Sequence, residues 1–235
     1  RTYSETNTKY PKFDFKGNLK EKAYLIGFRL GDLNVYQRHE LVQVRCSTTI
    51  KNQIILIKKL FGKNGNVHVW KAKRGTYECI ILLNRSFNFL LPKNDNIEKW
   101  ILLNRTYLLS FLAGYADAEG SYYLRKPYYK IGKTSWGVFE IQTNDKNIIQ
   151  TLSSFLNKND IYNKFSISKK GGSVDKRGIN CNKDVWRFTI TKKIALWNFI
   201  KLIGPYHRHK NKKKDLEVVK KNLIQRNALP YCRPI

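Results

Sequence analysis

Leu25-Ile-Gly-Phe-Arg-Leu-Gly-Asp32 and Leu112-Ala-Gly-Tyr-Ala-Asp-Ala-Glu119 read as one helix written twice, 87 residues apart, each copy ending on a carboxylate. In each, a glycine is followed four positions on by a second tiny residue: Gly27 and Gly31 in the first copy, Gly114 and Ala118 in the second. The acid comes one step later. Positions i and i+4 share a helix face, so each copy offers a smooth stripe along which another helix can approach closely. Packing the two stripes together sets Asp32 beside Glu119. Both acids then sit at the negative end of a helix dipole, and bringing them together pushes at least one toward protonation. A divalent cation removes both penalties. Two carboxylates, with the other coordination positions left to water and phosphate oxygens, suit magnesium.

The doubled motif belongs to a longer internal repeat. Shifting the chain by 95 residues lays Ile54, Ile57, Leu60 and Phe61 over Ile149, Leu152, Phe155 and Leu156, all apolar at helical spacing. The same shift matches Val44 and Cys46 with Phe139 and Ile141 inside strand-like alternations. A shift of 109 matches Tyr77, Cys79 and Ile81 with Trp186, Phe188 and Ile190. The growing offset locates two insertions in the second copy, around residues 125–135 and 169–178, both where hairpin loops belong. Each half reads helix, two strands, helix, two strands, helix. The first has helices over 20–32, 51–62 and through 84–104, with strands near 33–48 and 66–83. The second has helices over 106–119, 146–158, 193–203 and 210–229, with strands near 121–143 and 161–191.

These elements predict an α+β fold of two pseudo-symmetric αββαββα halves. The halves pack through the paired motif helices, and two four-stranded antiparallel sheets form a saddle. The expected divisions are a lead-in over 1–18, a first half over 19–91, a connection over 92–105 and a second half over 106–235.

The surface is strongly basic. Lys and Arg number 45 against 17 Asp and Glu, a net charge of +28, while apolar residues make up 42% of the chain. That surplus calls for a polyanionic partner. No apolar run approaches the roughly 20 residues that span a bilayer, and the cations are spread through strands instead of one amphipathic helix, which argues against a membrane. Cys46, Cys79, Cys181 and Cys232 are widely spaced and read as reduced residues of an intracellular protein. His207 and His209 lack a second ligand pair for zinc. The chain holds no methionine, so it reads as trimmed at its start. On the open sheet faces the alternation nominates Arg38, Gln43, Arg45, Lys71, Lys73, Tyr123, Arg125, Lys130, Gln142, Lys164, Ser166, Ser168, Lys183 and Arg187 as DNA contacts. Arg, Lys and Gln on strands can meet base edges in the major groove while Ser and Tyr hold phosphates.

The segment Leu112-Ala-Gly-Tyr-Ala-Asp-Ala-Glu-Gly120 resembles the nine-residue signature of LAGLIDADG homing endonucleases, and Leu25 to Leu33 is a looser copy. Two copies in one chain imply the monomeric, double-motif branch. The resemblance implies a metal-dependent endonuclease that cuts both strands of a long, nearly non-palindromic DNA site, in a bacterial cytoplasm, mitochondrion or chloroplast. It places the metal-binding acids at Asp32 and Glu119 and the cofactor as Mg2+, with Ca2+ or Mn2+ as other divalent cations in vitro. A lysine near the base of each half is implied to assist catalysis: Lys210 in the second half, with Lys212 nearby, and Lys93 in the first. Thr49 and Asn144 fall where helices begin, as caps or water holders. Leu33 stands in place of the usual final glycine, and Asp117 has only Leu30 as its first-copy counterpart, so it reads as an interface residue. An intron RNA maturase and a noncatalytic DNA-binding protein are the alternatives on the same fold; the presence of both acids points to cleavage. A ribosome-like basic protein would explain the charge but not the duplicated helices.

Overall fold

The computed structural model describes residues 10–126, 135–174, 178 and 180–226. Two helices form its axis: α1 (Leu19–Asp32) and α4 (Arg105–Glu119). Each begins on an asparagine cap. Asn18 accepts the Glu21 amide, and Asn104 accepts the amides of Thr106 and Tyr107, satisfying donors that a helix start leaves open. Between them lie β1 (Asn34–Arg38), β2 (Leu41–Thr48), α2 (Lys51–Phe61), β3 (Val67–Lys71) and β4 (Tyr77–Leu83). A 3-10 turn over Arg85–Leu90 and the short α3 (Lys99–Leu102) follow, so the helical stretch expected through 84–104 is broken into two short pieces. Pro92 and the polar run after it cannot continue a helix. The second half repeats the order with β5 (Gly120–Arg125), β6 (Trp136–Thr143), α5 (Lys146–Asn157), β7 (Lys164–Lys169), β8 (Val185–Ile190), α6 (Lys193–Ile203), a 3-10 turn at Gly204–Tyr206, and α7 (Lys210–Gln225).

The two sheets have matching strand orders, β1-β2-β4-β3 and β5-β6-β8-β7, all antiparallel. This is the α+β fold of two four-stranded sheets expected from the repeat. In each sheet the alternate residues packed toward the helices are apolar, including Val42, Val44, Cys46, Cys79, Ile81 and Leu83 in the first and Phe139, Ile141, Phe188 and Ile190 in the second. The other face is left open.

The α1–α4 seam explains the small residues. A Cβ on Gly27 would overlap the Phe111 carbonyl oxygen, and one on Gly114 would overlap the Tyr24 carbonyl oxygen; the helices meet backbone to backbone at a reciprocal pair of glycines. Further along, a Cβ on Gly31 would lie 2.5 Å from Ala118 Cβ. Large side chains flank the seam in matched stacks, Tyr24 on Phe28 and Phe111 on Tyr115, each pair at 6.2 Å. Among the described residues, no helix is long and apolar enough to cross a membrane.

Candidate active site and nucleic-acid interface

Asp32 and Glu119 close their helices side by side. The Gly31 Cα abuts Glu119, whose Cγ and Oε1 would each lie 2.9 Å from a Cβ added at residue 31. Burial is the main reason both acids hold protons unusually well. Asp32 is pushed up to about 6, the Asp117 charge adding to burial while a hydrogen bond from Gln53 and the charge of Lys212 oppose it. Glu119 is pushed up to about 7 by burial, by Asp32 and by Asp145, against Lys212 and Lys93. Of the two acids, it is Glu119 on which the other motif carboxylate acts, whereas at Asp32 the raising charge is that of Asp117.

The surrounding residues differ between the two acids. Gln53, buried on the first turn of α2, donates its side-chain amide to Asp32 Oδ2 at 2.6 Å. At the repeat-related position α5 carries Ile148, which is fully buried. Near Glu119 stands instead a third carboxylate, Asp145, which accepts the Tyr115 hydroxyl at 2.9 Å; the same hydroxyl also reaches Thr143 Oγ1. Gln53 is absent from the sequence-based candidates, yet it has a signal. It lies on the α2 face that carries Ile57 and Leu60, a polar residue on an apolar stripe.

Of the three lysines implied by the resemblance, Lys212 is the one felt at both acids, and its ammonium donates to the carbonyl of Gly120, the residue after Glu119. Lys210 is exposed at the start of α7. Lys93 is felt at Glu119, the acid of the other half. The connecting segment is fastened nearby because Asp95 accepts the amides of Asn147 and Ile148 at the start of α5. Thr49 and Asn144 do not cap helices. Ile50 and Asp145 occupy the cap positions, without side-chain cap bonds, and Asn144 donates to the Asp184 carbonyl.

Asp117 is buried in a network that includes no metal-type cluster. It accepts the Tyr24 hydroxyl at 2.6 Å, His207 Nδ1 lies 2.6 Å away, and the amides of Arg208 and His209 point at Oδ2. His207 Nε2 pairs with the Tyr122 hydroxyl at 2.8 Å. Burial alone would raise the Asp117 carboxyl, but the hydrogen bond from His207 leads the contacts that hold it below its ordinary range. His209 accepts the Asn211 amide as the cap of α7. Both histidines are thus engaged in the fold. Among the described residues no group of three or more His, Cys, Asp or Glu side chains is placed to hold a metal on its own. Asp32 and Glu119 offer two carboxylates, a donor set that fits a hard cation completed by water and phosphate oxygens.

Strand register sorts the DNA-contact candidates. Arg38, Gln43, Arg45, Tyr123, Gln142, Lys164, Ser166 and Arg187 fall on the open faces, with Ser168 Oγ bonded to Gln142 Oε1. Gln43 is nevertheless buried there, its amide spent on the Tyr36 hydroxyl and Arg38. Lys71 pairs with Tyr77 and shares the parity of Val67 and Val69, so it lies on the helix-side face, contrary to expectation. Lys73 sits exposed in the β3–β4 turn and Lys183 in the loop before β8, while Arg125 donates to the Tyr123 hydroxyl. Lys130 falls outside the described residues. Two acids missed by the sequence reading sit among these cations. Glu140 receives Tyr123 and Gln142, with Arg125 and Arg187 each at 3.8 Å. Glu78 receives Arg74, Ser47 and Thr76 and is held down at about 2, the Arg74 hydrogen bond leading. Their repeat partners are Arg45 and Arg187, so acid and base exchange strands between the halves.

No protein-family model matches the chain, and no curated protein sequence does. Solved structures do. The LAGLIDADG meganuclease I-AabMI bound to uncleaved DNA aligns with a TM-score of 0.60 and 14% identity over 88% of this chain and 91% of that one. I-GzeII in complex with its DNA target aligns at 0.56 and 14%, covering 89% and 93%. I-WcaI bound to its DNA recognition sequence aligns at 0.55 and 18%, covering 85% and 86%. Reciprocal glycines at the seam, matched sheets and alignment over nearly the whole chain lead to one conclusion: this protein has the fold of the LAGLIDADG homing endonucleases, with both motif helices in a single polypeptide.

Proposed function

We propose that this chain is a site-specific double-strand DNA endonuclease that hydrolyses phosphodiester bonds with divalent cations, magnesium first among them, at a long, nearly non-palindromic target. The observation that carries this reading is the delivery of Asp32 and Glu119 to one place, on the axis between two open sheet faces rich in cations. The DNA-bound state of the structurally similar proteins supports it.

Asp32 and Glu119 would hold the cation, which when bound would activate the attacking water and offset charge developing on the phosphate. The chain supplies positioning. Gln53 fixes one Asp32 oxygen, leaving the other for ligation. Lys212, braced on the Gly120 carbonyl, holds positive charge beside both acids where the scissile phosphate must come. Lys93 does the same next to Glu119 alone. The basic open faces bind the flanking duplex, and bending it over the saddle costs on the order of a few kcal/mol, offset by added contacts.

The test is incubation with Mg2+ and a plasmid carrying the uninterrupted insertion site of the protein's own reading frame, beside Asp32→Asn and Glu119→Gln. Linear product from the parent chain and none from either variant is expected. An intact plasmid with the parent chain, or cleavage unchanged in both variants, would sink the proposal.

A further inference from the structure

The two open faces differ in kind along their outer strands. In the second sheet this region is polar, with Lys164 and Ser166 on β7 facing Thr189 and Arg187 on β8. The same register positions in the first sheet hold His68 and Trp70 on β3, facing Ile80 and Glu78 on β4, with Leu82 two residues further along. The His68 and Trp70 rings lie 5.3 Å apart, and Trp70 is 36% exposed. Tyr10, Lys12, Asn66, His68, Ile80 and Leu82 enclose a shallow cavity of about 210 Å3.

Trp70 is exposed and Ile80 and Leu82 are half-buried, so apolar side chain reaches an otherwise polar open face and offers a contact surface there. Its margins say for what. Arg45 lies directly opposite Ile80 on β2 and Lys73 sits exposed in the β3–β4 turn, while Glu78 opposite Trp70 is neutralised by Arg74, so the free groups bordering the strip are ones that take phosphates. An apolar protein partner would gain nothing from that border. In the major groove of DNA the apolar group on offer is the C5 methyl of thymine.

We propose that the outer strands of the first half read a thymine-rich segment through its C5 methyl groups. Ile80, Leu82 and Trp70 pack on the methyls while Arg45 and Lys73 hold the adjoining phosphates. The second half, with Thr189, Lys164 and Ser166 at the matching places, has no such preference. DNA consequently lies on the saddle in one orientation, its thymine-rich end on the first half. This inference rests on the endonuclease reading above and adds the chemistry of one half-site to it.

The experiment is selection of binding sites from a random double-stranded DNA library by the full chain in Ca2+. Deoxyuridine then replaces thymine in one half-site of the selected DNA at a time. That exchange deletes methyl groups and leaves every hydrogen-bonding group in place. A thymine run in one half-site is expected, with affinity falling about fourfold for each contacted methyl removed there, the worth of one buried carbon. No change is expected from the exchange in the other half-site. Ile80→Asn combined with Leu82→Lys, or Trp70→Ser separately, should bind thymine and uracil versions of the run alike while still binding DNA. A selected site in which uracil is neutral throughout, or whose loss persists in both variants, overturns this inference and leaves the endonuclease reading standing. Failure to enrich any sequence removes the endonuclease reading itself.

Discussion

In each half the chain emerging from the second hairpin must be fastened to the last turn of its motif helix, and the halves do so with opposite charge. In the first, Arg29 donates its guanidinium to the carbonyl oxygens of Leu90, at 2.7 Å, and Leu91. In the second, Asp117 accepts the amides of Arg208 and His209 and pairs with His207. The repeat therefore dictates where the backbone must be tied down, while the tying chemistry has drifted freely: a buried cation meets carbonyls in one half and a buried anion meets amides in the other. Only the second tie crosses the seam, through the Tyr24 hydroxyl on Asp117.

The most severe way to break this comparison is to remove what the halves share. Gly114→Val should prevent the helices from meeting, at a cost above about 4 kcal/mol, and abolish cooperative thermal unfolding followed by circular dichroism. Gly31, against a side chain instead of backbone, should tolerate alanine better. The next effect separates the two ties. His207→Ala leaves a buried carboxylate short of a partner and should cost about 2–4 kcal/mol, whereas Arg29→Ala strands two carbonyls at about 1–3 kcal/mol. Urea melts of both variants rank them; equal losses would show that the ties are equivalent after all.

A smaller effect has the opposite sign. Asp32 is raised to about 6, so in the folded chain its charged form is penalised; that penalty is absent below the ordinary carboxylate range and complete above about pH 6. Metal-free Asp32→Asn should therefore be more stable than the parent by roughly 1–3 kcal/mol at pH 8, with the gain vanishing near pH 4. Thermal melts at the two pH values check it. Smallest is Gln53→Leu, which makes the surroundings of Asp32 resemble those of Glu119. One strand should be cut a few-fold more slowly, seen as nicked plasmid accumulating before linear product.

What could be read from sequence follows from the range of each signal. The seam was legible because glycine spacing and the terminal acid are local and occur twice. Strand faces are legible by alternation, and Lys71, whose charge suggests the open face, shares the parity of Val67 and Val69. The Asp117 network was hidden: His207 lies 90 residues from its partner, inside a basic run that advertises solvent. The exchanged acids escaped for a related reason. Glu78 and Glu140 look like interruptions of a cationic face until register shows the arginines gathered on them.

The seam itself has a consequence for how such proteins diversify. At Gly27 and Gly114 each helix recognises only the main chain of the other, a surface every polypeptide shares. A half carrying this stripe is therefore expected to pair with another that presents the same small residues, an outcome that joining exchanged halves and following their thermal unfolding would check. Side-chain pairs that join the halves, Tyr24 with Asp117 and Asn52 with Asn211 among them, act as keys restricting the choice of mate.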